Sequence, residues 1–371
     1  MIIEKITVRR ASLDLITPFT TSFSTQTNRD FLIVEATSAN ITGYGECGAF
    51  AYPYYSEEYT SGCELALTEH LIPLLIGADI SHPDDVRDRL APIKRNNMAK
   101  AAVEGAVWDL WAKTQDVSLS HAIGGSKHSV DVGISIGIKD SETELVEVVS
   151  RAIDEGFSRI KVKIKPDADL SFLRAVRAEF PDVPLMADAN NAYSLHDLDH
   201  LRQLDALDLM MIEQPLAHDD IVDHRHLQSV LRTPICLDES IHSLSDARKA
   251  IELGSCRIIN IKIGRVGGVS EAKDIEALCR DERIDVWCGG MLESGIGRAH
   301  NLAIASLPGF TLPGDTAPSA RYWSKDVIIP EVTMNRGSVP VPTGPGIGFD
   351  IDHAMLDEIT TRTQEFEVDD R

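Results

Sequence analysis

The most regular alternation of hydrophobic and polar residues in the chain lies at residues 159–165. Lys161, Lys163 and Lys165 alternate there with β-branched residues, and a period of two is typical of a β-strand. Alternate side chains of a strand point to the same face, so the three ammonium groups would share one face. A half-buried face with three like charges needs opposite charges nearby. We therefore expect acidic residues to lie opposite this strand.

Short apolar runs that each end in one charged residue follow at regular intervals. The final residues of these runs are Asp188, Glu213, Asp238 and Lys262. Counted from Lys163, the steps are about 25 residues long, which is the size of one strand, one helix and two short loops. The pattern therefore predicts that successive βα units carry an ionisable side chain at the same point.

Beyond residue 130, apolar runs alternate with helical patterns, which favours parallel βα units. Eight strands are predicted, near 131–137, 159–164, 184–188, 208–213, 234–238, 257–262, 284–288 and 310–313. Eight is the number that a closed (β/α)₈ barrel needs, and the C-terminal ends of its strands converge on one mouth. The five charged strand-end residues would meet at that mouth.

The first part of the chain follows a different pattern, with predicted strands first and helices after, as in an α+β domain. We predict an α+β domain at 1–125, a barrel domain with the catalytic residues at 126–320, and a C-terminal segment at 321–371 that returns to the first domain. Gly43, Gly45 and Gly48 match a dinucleotide-binding fingerprint by letter, but no helix start follows them, so we reject that motif.

Composition and charge narrow the class of protein. A net charge of −22 argues against nucleic acids and acidic membrane surfaces as partners. No apolar run is long enough to span a membrane, and the N-terminus alternates like a strand, unlike a secretory signal. The six cysteines form no Cys-x-x-Cys pair. We therefore expect reduced, buried cysteines and a cytoplasmic protein.

Asp188, Glu213 and Asp238 are hard oxygen donors from three separate strands, which suits Mg²⁺ or Mn²⁺. Three unpaired carboxylates would raise one another's pKa, and a divalent cation would relieve that repulsion. The alternative is a structural network in which each carboxylate pairs with a lysine. None of the twelve histidines ends a predicted barrel strand, which disfavours a zinc hydrolase. His224 and His226 are expected at the surface.

Lys163 and Lys262 would reach the carboxylates from opposite sides. A lysine that acts as a base must be partly neutral near pH 7, and burial beside a cation and other basic groups lowers its pKa. Lys161 supplies one such group, and Arg265 supplies another unless it is a surface loop residue. The arrangement fits abstraction of a proton α to a carboxylate.

Several motifs resemble the muconate-lactonising subgroup of the enolase superfamily. They are Ile-Lys-Val-Lys-Ile-Lys-Pro at 160–166, Asp188-Ala-Asn-Asn-Ala-Tyr, Ile212-Glu-Gln-Pro-Leu, Cys236-Leu-Asp-Glu-Ser and Asn260-Ile-Lys. Residues 287–298 and 312–316 are similar to the o-succinylbenzoate synthases that often double as N-succinylamino (N-acylamino) acid racemases. The resemblance covers nearly the whole chain. It implies a modified, enolase-like (β/α)₈ barrel with an α+β N-terminal capping domain.

The resemblance also implies a function. It implies a Mg²⁺-dependent (or Mn²⁺-dependent) enzyme that acts on a small-molecule carboxylate, as an o-succinylbenzoate synthase of menaquinone biosynthesis, a racemase, or both. Members of such families commonly associate, so we expect a homo-oligomer. Open alternatives are a dedicated N-acylamino acid racemase, a muconate cycloisomerase, a dipeptide epimerase and a non-catalytic metal-binding barrel. The epimerase would need an Asp-x-Asp pair that residues 288–293 lack.

The resemblance assigns roles to individual residues. Asp188, Glu213 and Asp238 would bind the metal, and Asn190 and Glu239 would support them. Lys163 and Lys262 would be the acid/base groups on the two faces of the substrate, with Arg265 beside Lys262, and Lys161 would hold the substrate carboxylate. The pocket would be lined by Phe23, Phe50, Tyr55, Gly290, Met291 and Glu293.

Overall fold

The computed structural model describes residues 1–22 and 24–368. Its strands are β1 Lys5–Thr20, β2 Thr25–Ser38, β3 Ile41–Cys47, β4 Ser129–Asp131, β5 Ile134–Ile136, β6 Ile160–Lys163, β7 Leu185–Asp188, β8 Ile212–Glu213, β9 Ile235–Leu237, β10 Ile258–Ile261, β11 Asp285–Cys288, β12 Ile328–Ile329, β13 Ser338–Pro340, β14 Asp350–Ile351 and β15 Thr360–Glu367.

Along the barrel part of the chain, α-helices alternate with the strands. The α-helices of the described residues are α1 Thr60–Ala66, α2 Asp84–Leu90, α3 Asn97–Thr114, α4 Leu119–Ala122, α5 Glu142–Asp154, α6 Leu170–Glu179, α7 Leu198–Leu201, α8 Val222–Val230, α9 Leu244–Leu253, α10 Ile263–Val266, α11 Val269–Glu282, α12 Gly295–Ala305 and α13 His353–Ile359. Serine side chains cap several of them. Ser141, for example, accepts from the Glu144 amide at 3.2 Å at the start of α5.

Four strands form an antiparallel sheet in the order β15-β1-β2-β3. The C-terminal strand β15 joins this sheet by pairing with β1, where Glu367 lies opposite Lys5. Helix α3 packs on the sheet so closely that a Cβ atom on Gly45 would lie 2.0 Å from the Ala102 carbonyl oxygen. The glycines that matched a dinucleotide fingerprint by letter therefore include one that makes room for a helix.

The second sheet carries the strand-end residues. Its seven strands are parallel and follow chain order, β5-β6-β7-β8-β9-β10-β11. The register places Lys163 beside Asp188, and Asp188 beside Glu213. The even spacing in the sequence thus becomes lateral adjacency at one end of the sheet. The predicted α+β unit followed by a βα barrel is confirmed.

The prediction of a regular eighth strand at 310–313 is wrong. Phe310 forms an isolated bridge to Val286 in the edge strand β11, and Gly314, just after the segment, forms one to Val132, which precedes β5. The Gly133 amide donates to the Gly314 carbonyl at 2.8 Å, and the Asp315 amide donates to Cys288 at the same distance. Pro313 has no amide hydrogen to give to a ladder, so the segment completes the circle without a continuous strand.

All six cysteines are buried and unpaired, as predicted. In the part of the chain that the structure describes, no helix has the length and apolarity needed to cross a membrane. The prediction of a surface position for His224 is wrong, because its ring is buried and lies 2.8 Å from Asp220, and its Nε2 accepts from the Leu216 amide.

Candidate active site

The charged strand-end residues lie together at one end of the barrel sheet. Lys163, Asp188 and Glu213 are the last residues of β6, β7 and β8. Asp238 and Lys262 come directly after β9 and β10, and all five side chains are buried. The two lysines and three carboxylates that the sequence grouped together therefore lie together in the structure. Their catalytic roles stay a prediction.

The lysines contact the carboxylates directly. The Nζ atom of Lys163 lies 2.5 Å from Asp188 Oδ2, and that of Lys262 lies 2.8 Å from Asp238 Oδ2. Lys161 shares Asp188 with Lys163, at 3.5 Å, and lies 3.3 Å from Glu213. Each ammonium group is thus partly neutralised, as buried charges must be.

Burial and neighbouring charges shift these groups in different directions. Burial, with the negative charges of Asp188 and Asp238, raises the pKa of Glu213 to about 8. Burial would also raise the pKa of Asp238, but Arg265 and Lys262 hold it well below its usual range. Burial alone would lower the pKa of Lys262 and of Lys161. The nearby acids raise it by more, so the pKa of both lysines lies above its ordinary value. Among the protein's own groups, the pKa of both lysines is therefore raised, and the lowering expected beside a bound cation stays a prediction.

Arg265 lies under the Lys262 side of the site. The alternative of a surface loop position is wrong, because its side chain is 1% exposed. Its guanidinium donates to the Ile241 carbonyl at 2.8 Å, to the Tyr55 hydroxyl at 3.1 Å and to Asp238. Lys262 also donates to the Tyr55 hydroxyl, at 2.9 Å. Tyr55 of the N-terminal unit thus contacts both Lys262 and Arg265.

Asn190 and Glu239 form a corresponding layer on the Lys163 side. Lys163 donates to Asn190 Oδ1 at 2.7 Å, and Asn190 Nδ2 donates to Glu239 at 3.0 Å. The Asn190 backbone amide donates a hydrogen bond to Asp188 Oδ1 at 3.0 Å. The residue has a φ of +41°, a left-handed conformation that asparagine tolerates better than most residues. The turn after β7 therefore points both the amide and the side chain of Asn190 into the cluster.

Sequence reasoning gave no role to Asp315, which the structure places inside the cluster. Its carboxylate accepts from Arg159 at 2.6 Å and from Lys161 at 2.8 Å, and the side chain is 8% exposed. Both basic groups also lie over the Trp287 ring, at 4.5 and 4.7 Å. Burial opposes ionisation of Asp315, but Lys161 and Arg159 keep its pKa well below the ordinary value. The expectation of acidic residues opposite the lysine strand applied to Asp188, Glu213 and Asp238, and Asp315 adds a fourth acid to them.

A pocket of about 60 Å³ opens onto the three lysines. Of the predicted substrate-binding residues, five line it: Phe50, Tyr55, Gly290, Met291 and Glu293. Phe23, the sixth, lies outside the described residues. The lining also includes residues that sequence reasoning missed, namely Phe19, Thr21, Ser135, Leu292, Arg298 and Tyr322. Phe19 belongs to the end of β1 and Thr21 directly follows that strand, whereas Tyr322 follows the barrel segment and carried no sequence signal.

The donor set suits a hard divalent cation. Glu213 Oε2 is buried without a hydrogen-bond partner among the described residues, with Lys161 at 3.3 Å as its ionic neighbour. Burial, together with the charges of Asp188 and Asp238, raises the pKa of this carboxyl group. Within residues 1–22 and 24–368, however, no three acidic, histidine or cysteine side chains are arranged as a ready-made metal cage. Ammonium groups lie against Asp188 and Asp238. A cation at the three carboxylates would therefore have to displace them.

Comparisons with known proteins agree with this geometry. The mandelate racemase / muconate lactonizing enzyme N-terminal domain family matches residues 3–124, and the enolase C-terminal domain-like family matches residues 144–355. An o-succinylbenzoate synthase from Geobacillus kaustophilus is 54% identical over 359 residues, 96% of either chain. An N-succinylamino acid racemase from Thermus thermophilus is 45% identical, covering 97% of this chain and 98% of the relative.

A solved structure extends the likeness to three dimensions. An enolase superfamily member from Listeria innocua superposes with a TM-score of 0.96 at 44% identity, covering 99% of both chains. The family matches span more than half of the chain, and they confirm the resemblance that the motifs carried. On sequence, fold and site together, the chain belongs to the enolase superfamily, with the mandelate racemase / muconate-lactonising enzyme domain pair.

Proposed function

We propose that the chain is an o-succinylbenzoate synthase that also racemises N-succinylamino acids. Both reactions begin with removal of a proton α to a carboxylate. The observation that carries the proposal is that Lys163 and Lys262 enter one pocket from different strands, each against its own carboxylate. Relatives with both names, at 54% and 45% identity over nearly the whole chain, support the pairing of the two activities.

In the dehydration, Lys163 would take the α-proton of the cyclohexadiene carboxylate and then return it to the departing hydroxyl group, so that water leaves and the ring becomes aromatic. Lys262 would stay protonated and stabilise the negative charge of the enolate from the other side. Lys161, which Asp315 holds at 2.8 Å, would orient the substrate carboxylate. The Nζ atom of Lys163 already has two acceptors, Asp188 and Asn190, that fix its direction.

In the racemisation, one lysine would remove the α-proton and the other would deliver a proton to the opposite face. This demands two acid/base groups of similar chemistry on the two sides of one carbon. Arg265 and Tyr55 contact Lys262, whereas Asn190 contacts Lys163, so the two lysines differ in their supporting residues. The two bases therefore need not exchange protons at equal rates.

Asp188, Glu213 and Asp238 would hold Mg²⁺ or Mn²⁺, which would stabilise the charge that develops on the substrate carboxylate. We expect EDTA to abolish both activities and added Mg²⁺ to restore them. Retention of full activity after complete removal of divalent cations, measured on dialysed protein, would contradict the assignment of these three carboxylates.

Replacing Lys163 by alanine tests the proposal most directly. We expect the Lys163→Ala variant to lose at least about 10³-fold in kcat for dehydration and to stop exchanging the α-proton of N-succinylamino acids with solvent deuterium. Lys165→Ala is the matched control, because Lys165 lies two residues further on and is exposed. Undiminished exchange in Lys163→Ala, followed by NMR, would mean that another group is the base.

The principal competing reading is a barrel that binds a metal but performs no reaction. Under that reading Lys163→Ala and Lys165→Ala would behave alike on every substrate. The expected homo-oligomeric state and cytoplasmic location stay predictions, and light scattering of the purified chain tests the first.

A further inference from the structure

A second cavity, of about 270 Å³, lies beside the active-site pocket. Its walls come from the end of β1, from the strand β5 and the residues after it, from helix α5, and from Arg321 and Tyr322. None of the catalytic or carboxylate residues lines it. The cavity is therefore distinct from the site described above, although it belongs to the same end of the barrel.

The wall between the two cavities is one side chain thick. Phe19, Ser135 and Tyr322 line both of them. Ser135 lies opposite Lys161 in the β5–β6 register. Phe19 follows the irregular part of β1, where its pairing with β2 is interrupted between Asp14 and Phe19. The wall thus combines one residue of the rigid sheet with one from the least regular part of the N-terminal hairpin.

The missing eighth strand explains why a cavity exists here. Strand β5 is an edge strand of the seven-stranded sheet, and the segment that completes the circle bridges at Val132, before β5 begins. Further along, the Ile138 amide donates to the Thr20 carbonyl at 3.2 Å. Between these two points the outer edge of β5 faces the cavity. A regular eighth strand would have filled this space.

The cavity is basic in a strongly acidic chain. Lys139, Arg151 and Arg321 line it together with one acid, Glu155, although the chain as a whole carries a net charge of −22. Lys139 pairs with Glu144 at 3.3 Å. The Arg321 guanidinium lies 5.9 Å from the centre of the Phe157 ring. The apolar part of the lining includes Val148 and Ala152 of α5, so the cavity offers an apolar passage with basic groups around it.

We propose that this cavity is a subsite for the acyl chain of N-acylamino acid substrates, and that it accepts chains longer than succinyl which end in a carboxylate. The inference rests on the proposed racemase function and deepens it. The acyl chain would pass between Phe19 and Tyr322, lie against Val148 and Ala152, and place its terminal carboxylate near Arg321 and Arg151. Charge complementarity selects an anionic end over a methyl end.

Three ligands of one amino acid separate length from charge: the N-succinyl, N-adipoyl and N-hexanoyl derivatives. In the wild-type enzyme with Mg²⁺, we expect kcat/KM for the adipoyl compound to lie within about tenfold of that for the succinyl compound and at least about tenfold above that for the hexanoyl compound. Equal values for the adipoyl and hexanoyl compounds, or rejection of both relative to succinyl by more than about 100-fold, would overturn the subsite.

Two variants locate the effect. Arg321→Gln is expected to lower kcat/KM for the adipoyl compound about fivefold and to leave the hexanoyl compound within about twofold. Val148→Phe, which adds bulk at a half-buried cavity position, is expected to depress both six-carbon compounds while sparing the succinyl compound. Arg248→Gln, at an exposed pair with Glu252, is the control. Unchanged chain-length selectivity in Val148→Phe would place the acyl chain elsewhere.

Calorimetric binding of the same three ligands separates this inference from the proposed function. Length- and charge-selective binding without turnover would contradict the proposed racemisation and support the subsite. Turnover of the succinyl compound combined with unselective binding of the other two would support the function and contradict the subsite.

Discussion

At the scale of single residues, Asp315 determines where the ammonium group of Lys161 can lie. Asp315 binds both Lys161 and Arg159. The Lys161 ammonium group lies closer to Asp315 than to Asp188 or Glu213, by 0.7 and 0.5 Å. Without this third acid, the ammonium group would compete more strongly for the two carboxylates that are proposed to hold the metal.

The Asp315→Asn variant tests this positioning role. Loss of a charged hydrogen bond in a buried site costs about 1.5–3 kcal/mol, so we expect kcat/KM to fall about 10- to 100-fold. Most of the loss should appear in KM and in a higher Mg²⁺ concentration for half-maximal activity. Asp285→Asn, an exposed position at the start of β11 that bonds Thr311, is the control. A pure loss of kcat with an unchanged Mg²⁺ requirement would contradict the role.

The sequence alone predicts that the charged strand-end residues lie side by side, and the reason is physical. Lys163, Asp188 and Glu213 are fixed by local strand patterns repeated at one interval, and the parallel register converts that interval into contact. Asp315 and Tyr322 escape prediction, because they follow a segment whose backbone is held by bridges rather than by a regular ladder. Their positions depend on long-range contacts that no local pattern encodes.

At the scale of elements, the N-terminus of α12 is capped by a residue from another unit. Glu46 of β3 accepts from the amides of Ser294 and Gly297, at 3.0 and 2.9 Å, and from the Ser294 hydroxyl at 2.6 Å. A carboxylate suits a helix N-terminus, where unpaired amides and the helix dipole are positive. This contact fixes the antiparallel sheet to the barrel helix that follows the pocket residues Gly290, Met291 and Glu293.

Burial, with the nearby charge of Glu293, raises the pKa of Glu46 to about 7 from an ordinary 4.5. Between these values the folded chain holds a proton that the unfolded chain has lost. The free energy of unfolding should therefore fall as the pH rises through this window, by up to about 3 kcal/mol. Glu46→Gln cannot ionise, so its urea-unfolding free energy should decline less between pH 5 and pH 8.

The comparison requires a glutamate without this environment. Glu252→Gln, at an exposed helix position paired with Arg248, should keep the wild-type pH dependence. Parallel curves for wild type and Glu46→Gln would show that Glu46 is already ionised at the low end of the range.

At the scale of elements, the predicted eighth strand is the part of the barrel that the hydrophobic pattern predicted wrongly. Apolar residues at 310–313 predicted a strand, and Phe310 does form a bridge to Val286 of β11. Pro313 and Gly314 interrupt it, so the contacts shrink to single bridges. The number and order of the βα units could be predicted from the sequence, whereas the quality of the closing contact depends on which backbone amides remain available.

At the scale of the whole molecule, a cation held by Asp188, Glu213 and Asp238 would couple the site to the stability of the fold. We expect the apparent Tm to rise with Mg²⁺ concentration, because a ligand that binds only the folded chain stabilises it by about 2.7 kcal/mol at 100 times its Kd. An Asp238→Asn variant should show a smaller rise. An equal rise in Na⁺ of matched ionic strength, followed by calorimetry, would assign the effect to screening.

The pairing of β15 with β1 has a consequence for how the chain is made. Ribosomes release β1, β2 and β3 before the whole barrel sheet, yet β15, which completes the N-terminal sheet, emerges after that barrel sheet. Tyr55, which touches Lys262 and Arg265, is carried by the same early part of the chain. A nascent chain therefore contains every lysine and carboxylate of the cluster before β15 has been made, and we expect it to become able to turn over substrate only after β15 has left the ribosome.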